Sequence, residues 1–176
     1  MIYEPKEDSF LLEKEVKKFA ENKSFLDLGS GSGIQSKAAI AAKAKSVLAA
    51  DINEEAIENL KKQDIPAVKS DLFSKIRGKF DIIAFNPPYL PEDKRENKES
   101  QLATTGGKKG DEIILKFLKQ AKSHLSKEGI ILLVVSSLTP KENINKLLRE
   151  QKFQKKVLSS EKFFFETLEV WKIFQS

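Results

Sequence analysis

The chain has 176 residues, a net charge of +5, 40% hydrophobic content, a single histidine (His124) and no cysteine. That length suits one domain, 1–176, with an apolar core of its own, and the composition excludes a disordered chain. Without cysteine there is no disulfide scaffold, thiol nucleophile or iron–sulfur cluster, and one histidine cannot build a Cys/His zinc site, so no metal site is expected.

No basic-then-apolar leader opens the sequence. Its longest plainly apolar stretch, 129–138, falls far short of the ~20 residues of a membrane span. A cytoplasmic protein is expected, with its dispersed lysines on solvated faces.

In chain order, residues 8–20 read as a helix with Leu12, Val16, Phe19 and Ala20 on one face. Residues 24–28 form a short apolar strand ending in a glycine cluster, and the alanine-rich 33–43 is helical. Residues 46–50 make a second strand, stopped by Asp51. Asn53 is placed to cap the next helix, with Glu54 and Glu55 at its positive end. Residues 66–69 are a weak third strand, and 80–85 a strong fourth that runs into Asn86-Pro87-Pro88-Tyr89.

The polar stretch 91–109 reads as a mobile loop. In 111–125 Ile113, Phe117, Ala121 and Leu125 recur four apart with Ile114 and Leu118 alongside, which predicts a helix. The apolar run 129–135 suits a central parallel strand buried on both faces. Thr139-Pro140-Lys141-Glu142 has the form of a capping box with proline at the first helical position. From Phe153 on, two strands are split near 159–162, the second being 164–174. Phe163, Phe164, Phe165 and Trp171 are expected in core or edge-strand packing. Such alternation implies an α/β fold: a seven-stranded, mostly parallel sheet with helices on both faces, in which a final hairpin makes one strand antiparallel.

Leu28-Gly29-Ser30-Gly31-Ser32-Gly33 joins the first strand to a helix, and glycines there let backbone pass close under a ligand. The dinucleotide fingerprint would place a glycine at 34, where the chain has Ile34, and no Gly-Lys-Ser/Thr is present for a triphosphate loop. Acids follow at successive strand ends. Asp51, about 20 residues beyond the loop, is placed to take two ribose hydroxyls. Asp71 can accept from an adenine amino group, with Leu72 against the adenine face. Asp27 can meet a cationic amino group. Adenosine plus a positive aminoacyl tail, without phosphate, describes S-adenosylmethionine.

Asn86-Pro87-Pro88-Tyr89 lies at the same strand edge. Consecutive prolines fix the backbone, and Asn86 supplies a side-chain carbonyl, so two rigid acceptors can grip both hydrogens of one NH₂ group. Pro88 and Tyr89 would line the substrate side, Tyr89 stacking on the planar group. An amide or aryl amine has a delocalised lone pair. Pulling on both N–H bonds favours pyramidalisation, so positioning carries the step.

These residues resemble the class I methyltransferases that modify amino groups. Within them the chain is similar to the release-factor glutamine methyltransferases, in the short archaeal and eukaryotic branch, over nearly its whole length. Tyr3-Glu4-Pro5-Lys6-Glu7-Asp8-Ser9-Phe10-Leu11-Leu12 resembles that branch's N-terminal motif, and Gly106-Gly107-Lys108-Lys109-Gly110 follows in family order.

The resemblance implies a Rossmann-like class I fold and S-adenosylmethionine as cofactor. It implies cofactor contacts from Ser9, Asp27, Gly29, Gly31, Asp51, Asp71, Leu72 and Asn86, and an amide aligned by Asn86 with the Pro87 backbone. It further implies methylation of the glutamine in a release factor's Gly-Gly-Gln loop, and a small zinc-binding activator subunit on the sheet edge near the third strand. The bacterial members' N-terminal substrate domain has no counterpart here, so substrate docking is expected elsewhere. Two rivals stand beside this reading: an adenine N6-methyltransferase acting on nucleic acid, and a non-catalytic scaffold that binds cofactor and partner.

Overall fold

The computed structural model describes residue 2, residues 4–88, residue 98 and residues 105–176. Its elements are α1 (Glu7–Phe19), β1 (Ser24–Leu28), α2 (Ile34–Ala41), β2 (Ser46–Asp51), α3 (Glu54–Lys61), β3 (Ala67–Lys69), β4 (Phe80–Phe85), α4 (Glu112–Ala121), β5 (Leu125–Ser136), α5 (Glu142–Glu150), β6 (Phe153–Lys162) and β7 (Thr167–Gln175). A 3₁₀ turn, Lys122–His124, separates α4 from β5. All seven strands join one sheet in the order β3-β2-β1-β4-β5-β7-β6. Neighbours pair in parallel from β3 through β5, whereas β7 runs antiparallel to both β5 and β6. The expected single reversed strand is therefore β7.

Alternate residues of the central strands feed two cores. Leu26, Leu28, Ile83, Phe85, Ile131 and Leu133 face Ile114, Phe117 and Leu118 of α4 and Ile144 and Leu148 of α5. Phe25, Ile82, Ala84, Leu132 and Val134 face Leu12 and Val16 of α1 and Ala38 and Ala39 of α2. Burial on both faces explains why 130–135 reads as a continuous apolar run rather than an alternating one. Asn53 caps α3 as expected, its side chain accepting from the Glu55 N–H at 3.0 Å. The edge strand β3 has only three residues. On the opposite edge β6 carries exposed Lys155 and Lys156, which blunt strand pairing with another chain.

Three expectations need correction. Helix α5 starts at Glu142 with Lys141 at its N-cap, so Pro140 lies outside the helix and Thr139 does not cap it. Thr139 is instead buried at the end of the turn that leaves β5. The β6–β7 turn falls at 163–166, later than the expected split, because β6 pairs with β7 out to Lys162–Thr167. As a result Phe164 and Phe165 sit at a hairpin tip, 92% and 81% exposed, while Trp171 is buried as expected. The loop expected over 91–109 lies largely outside the described residues.

Candidate active site

From β1 the chain moves to β2 and β3, then returns to the other side of β1 at β4. The carboxyl ends of β1 and β4 thus flank the point where strand order reverses, where open α/β sheets bind ligands. A cleft of about 1550 Å³ opens there, bounded by the start of α1, the glycine loop, the ends of β2 and β4, Thr105 and the β6–β7 hairpin.

The glycine loop takes left-handed backbone at Gly29, Gly31 and Gly33, with φ of 66°, 51° and 81°. A Cβ at Gly29 would come 3.3 Å from the Phe85 ring, and one at Gly33 would collide with Leu60 of α3. Gly33 is also the N-cap of α2 and has no side chain to offer. Asp27 in β1 supplies the missing acceptor: its Oδ2 takes the Ser36 N–H at 2.9 Å and the Ser36 hydroxyl at 2.7 Å. Burial raises the Asp27 pKa to about 6, against the two Ser36 bonds that favour the charge, and the nearby Asp51 pushes the same way as burial. Both of these bonds fall on Oδ2.

Asp51 holds the loop from the next strand. Its Oδ2 accepts the Gly31 N–H and its Oδ1 the Asn53 N–H, both at 2.8 Å. Asp71 lies at the rim, about half exposed, paired with Lys116 of α4 at 3.2 Å. Leu72 beside it has φ of 48°, and its carbonyl accepts the Ser70 hydroxyl at 2.7 Å. Ser9 is buried in the first turn of α1, and its carbonyl accepts Gln35 Nε2 at 2.9 Å, which latches α1 to α2 over the loop.

Pro87 and Pro88 follow β4, and Asn86 lines the cleft beside them. Gly106 braces this corner. A Cβ there would lie 2.7 Å from the Pro88 carbonyl oxygen, so only glycine lets the strands of backbone approach. The bracing turn is itself fixed: Ile113 N–H reaches the Gly106 carbonyl at 3.2 Å, and Glu112 accepts from the Lys109 and Gly110 N–H groups at 3.0 and 3.1 Å. For Glu112 burial pulls the pKa up, yet these backbone donors outweigh it and the net shift is downward.

Among the described residues six buried side-chain polar atoms have no hydrogen-bond partner. Four of them, Ser30 Oγ, Gln35 Oε1, Asn86 Oδ1 and Thr105 Oγ1, belong to residues lining this cleft. Buried polar atoms are ordinarily paired, so this concentration marks a place built for a polar ligand. Glycine floor, three carboxylates and unpaired oxygens suit a ligand with an adenosine and a cationic aminoacyl end, and so fit S-adenosylmethionine. No group of three His, Cys, Asp or Glu able to hold a metal occurs among the described residues, and none of their helices is long and apolar enough to cross a membrane.

The structure brings Ser9, Asp27, Gly29, Gly31, Asp51, Asp71, Leu72, Asn86, Pro87 and Pro88 to one cleft. Tyr89 and Tyr3 lie outside the described residues. Sequence reasoning passed over Ser30, Gln35, Thr105 and the phenylalanines of the hairpin. Ser30 and Gln35 flank the glycine cluster and could have been found by that position. Thr105 carries no local signal.

Comparison with known proteins agrees with this geometry. A Methanocaldococcus jannaschii protein assigned as a protein N5-glutamine methyltransferase is 42% identical over 155 residues, covering 83% of this chain and 78% of the relative. Human methyltransferase HEMK2 is 31% identical over 193 residues, covering 99% of this chain and 90% of HEMK2. In the Encephalitozoon cuniculi Mtq2–Trm112 complex, described as responsible for methylating the eRF1 translation termination factor, one chain superposes with a TM-score of 0.81 at 26% identity, over 99% of both chains. The family model of the methyltransferase small domain matches residues 7–165. That span takes in the glycine loop, every strand-end acid and the Asn86 corner, and the chain belongs to this family as an S-adenosylmethionine-dependent class I methyltransferase.

Proposed function

We propose that the chain methylates the side-chain amide of a protein glutamine, the one in the Gly-Gly-Gln loop of a peptide-chain release factor. The observation that carries this is Asn86 Oδ1, a buried acceptor without a partner, beside a proline-fixed backbone at the switch point. The relatives' names support the same reading.

Bound S-adenosylmethionine supplies an electrophilic methyl group on a sulfonium. The glycine loop, Asp27, Asp51 and Ser9 would hold it, with Asp71 and Leu72 toward the adenine. Asn86 Oδ1 accepts one amide hydrogen of the substrate, and the Pro87 backbone carbonyl takes the other. The two acceptors orient the nitrogen lone pair and stabilise the positive charge that grows on it, so no strong base is needed beside it. Transfer would form the N–CH₃ bond as the cofactor's S–CH₃ bond breaks, its electron pair staying on the now neutral thioether sulfur, and the surplus nitrogen proton would pass to water at the mouth of the cleft. Gly106, by bracing Pro88, keeps the acceptor pair in register.

A small zinc-binding subunit would cover the short edge strand β3, whose three residues leave unpaired backbone groups. Mtq2 in its complex with Trm112 supports such a pairing. The test is one incubation with labelled cofactor and a release factor, with and without the zinc-binding partner, and mass spectrometry to locate the label. Label on the Gly-Gly-Gln glutamine is expected. Label on added nucleic acid instead, with binding that collapses as salt rises, would establish an adenine methyltransferase.

A further inference from the structure

We propose that Phe164 and Phe165, at the tip of the β6–β7 hairpin, form the docking surface for the polypeptide that carries the methyl-accepting side chain. This rests on the protein-glutamine reading above. Because β7 runs antiparallel to β5 and β6, the turn between β6 and β7 projects at the same sheet edge as the glycine loop and Asn86. Both rings line the cleft that holds Asn86.

Scattered exposed apolar residues are ordinary on protein surfaces, but these two are adjacent, 92% and 81% exposed, and paired edge-to-face with centroids 4.5 Å apart. Their platform is fixed rather than loose. Phe163 N–H reaches the Glu166 carbonyl at 2.7 Å, and the Glu166 carboxylate accepts the Ser136 hydroxyl at the end of β5. Ser137 and Thr167 add two further bonds of 2.8 Å between β5 and the hairpin. Phe163 packs back onto the α1-side core. A rigid root with two exposed rings is preorganised for contact, and phenylalanine offers large area with little side-chain entropy to lose.

The occupant follows from continuity with the site. A polypeptide that delivers a glutamine side chain to Asn86 must lay the backbone on either side of that residue along the rim, and the rings stand on the rim. They would grip flanking backbone and apolar groups, which is the docking role expected to lie outside any separate substrate domain.

The test compares wild type with the double variant Phe164→Ser/Phe165→Ser, each with its zinc-binding partner where one is needed for solubility. Both rings are exposed, so the fold should tolerate the change. Melting temperature and cofactor affinity are measured alongside steady-state methylation of an intact release factor. The expected result is a kcat/KM lower by about 10-fold or more, equivalent to about 1.4 kcal/mol, carried mainly by KM, with melting temperature and cofactor affinity unchanged.

A double variant within about two-fold of wild type on an accepted substrate would overturn this proposal alone. Loss of cofactor affinity, or loss of the zinc-binding partner with unchanged methylation, would assign the rings to those ligands and overturn it too. A wild-type chain that transfers no methyl to the factor would overturn the functional reading and this proposal with it.

Discussion

Asp27 should make cofactor affinity depend on pH in the mildly acidic range. Burial raises its pKa to about 6, and its described hydrogen bonds, both from Ser36, use Oδ2. A cationic amino group on the ligand pairs with the ionised carboxylate, so protonation of Asp27 competes with binding. With a pKa of about 6, roughly one Asp27 in eleven is ionised at pH 5 and nearly all at pH 7.5. Affinity for S-adenosylmethionine should therefore fall about 10-fold, or about 1.4 kcal/mol, between pH 7.5 and pH 5.

The ligand-free protein should show the opposite sign. A carboxyl whose folded pKa is raised contributes stability that is complete below its unfolded pKa, near 3.8, and is lost as pH rises through about 6. The loss amounts to about 3 kcal/mol from this group. Calorimetric titration at both pH values and constant ionic strength, on wild type and Asp27→Asn, checks the first effect; the Asn carbonyl can still accept from Ser36. Wild type should lose affinity in acid and the variant should be flat. An equally steep response in Asp27→Asn, or a flat wild type, refutes the pairing.

Asn86→Ala removes one of the two amide acceptors and should lower kcat by about 10²–10³ with little change in cofactor affinity, which single-turnover methylation and titration calorimetry separate. Asp51→Ala should weaken cofactor binding by about 1–3 kcal/mol and also lower the melting temperature, because the Gly31 and Asn53 N–H groups lose their acceptor. Unchanged binding in calorimetry counts against the ribose contact. Thr105→Val removes a buried hydroxyl that has no partner, so denaturant unfolding should show the variant as stable as wild type or up to about 1–3 kcal/mol more stable. If the hydroxyl meets the substrate, kcat/KM falls while stability does not.

Much of the fold was readable because it rests on patterns that repeat. The apolar run at 130–135, and 80–85 with Asp81 as its single polar residue, read as central strands with helices on both sides, and the pairing of β4 with β5 and of β5 with β7 agrees. Ends were less readable where two local rules competed. Thr139-Pro140-Lys141-Glu142 has every residue a capping box needs, yet tertiary burial claims Thr139 and the helix opens at Glu142. At the C-terminus three consecutive phenylalanines look like strand, since apolar β-formers favour burial. Their place in a turn follows from the β6–β7 register, a long-range pairing that no local window contains.

The site divides along the same line. Which acids stand at strand ends is a one-dimensional fact, and Asp27, Asp51 and Asp71 all reach the cleft. How much acceptor capacity each retains is a three-dimensional one. Asp51 already serves two backbone N–H groups, Asp27 already completes the start of α2, and Asp71 already pairs with Lys116. Each carboxylate thus holds the cleft's walls as well as facing its contents. A ligand does not find these groups idle; it adds to bonds that set the loop in place beforehand. That arrangement is preorganisation, and it predicts that removing Asp51 costs structure and affinity together, whereas removing the unpaired oxygen of Asn86 costs function alone.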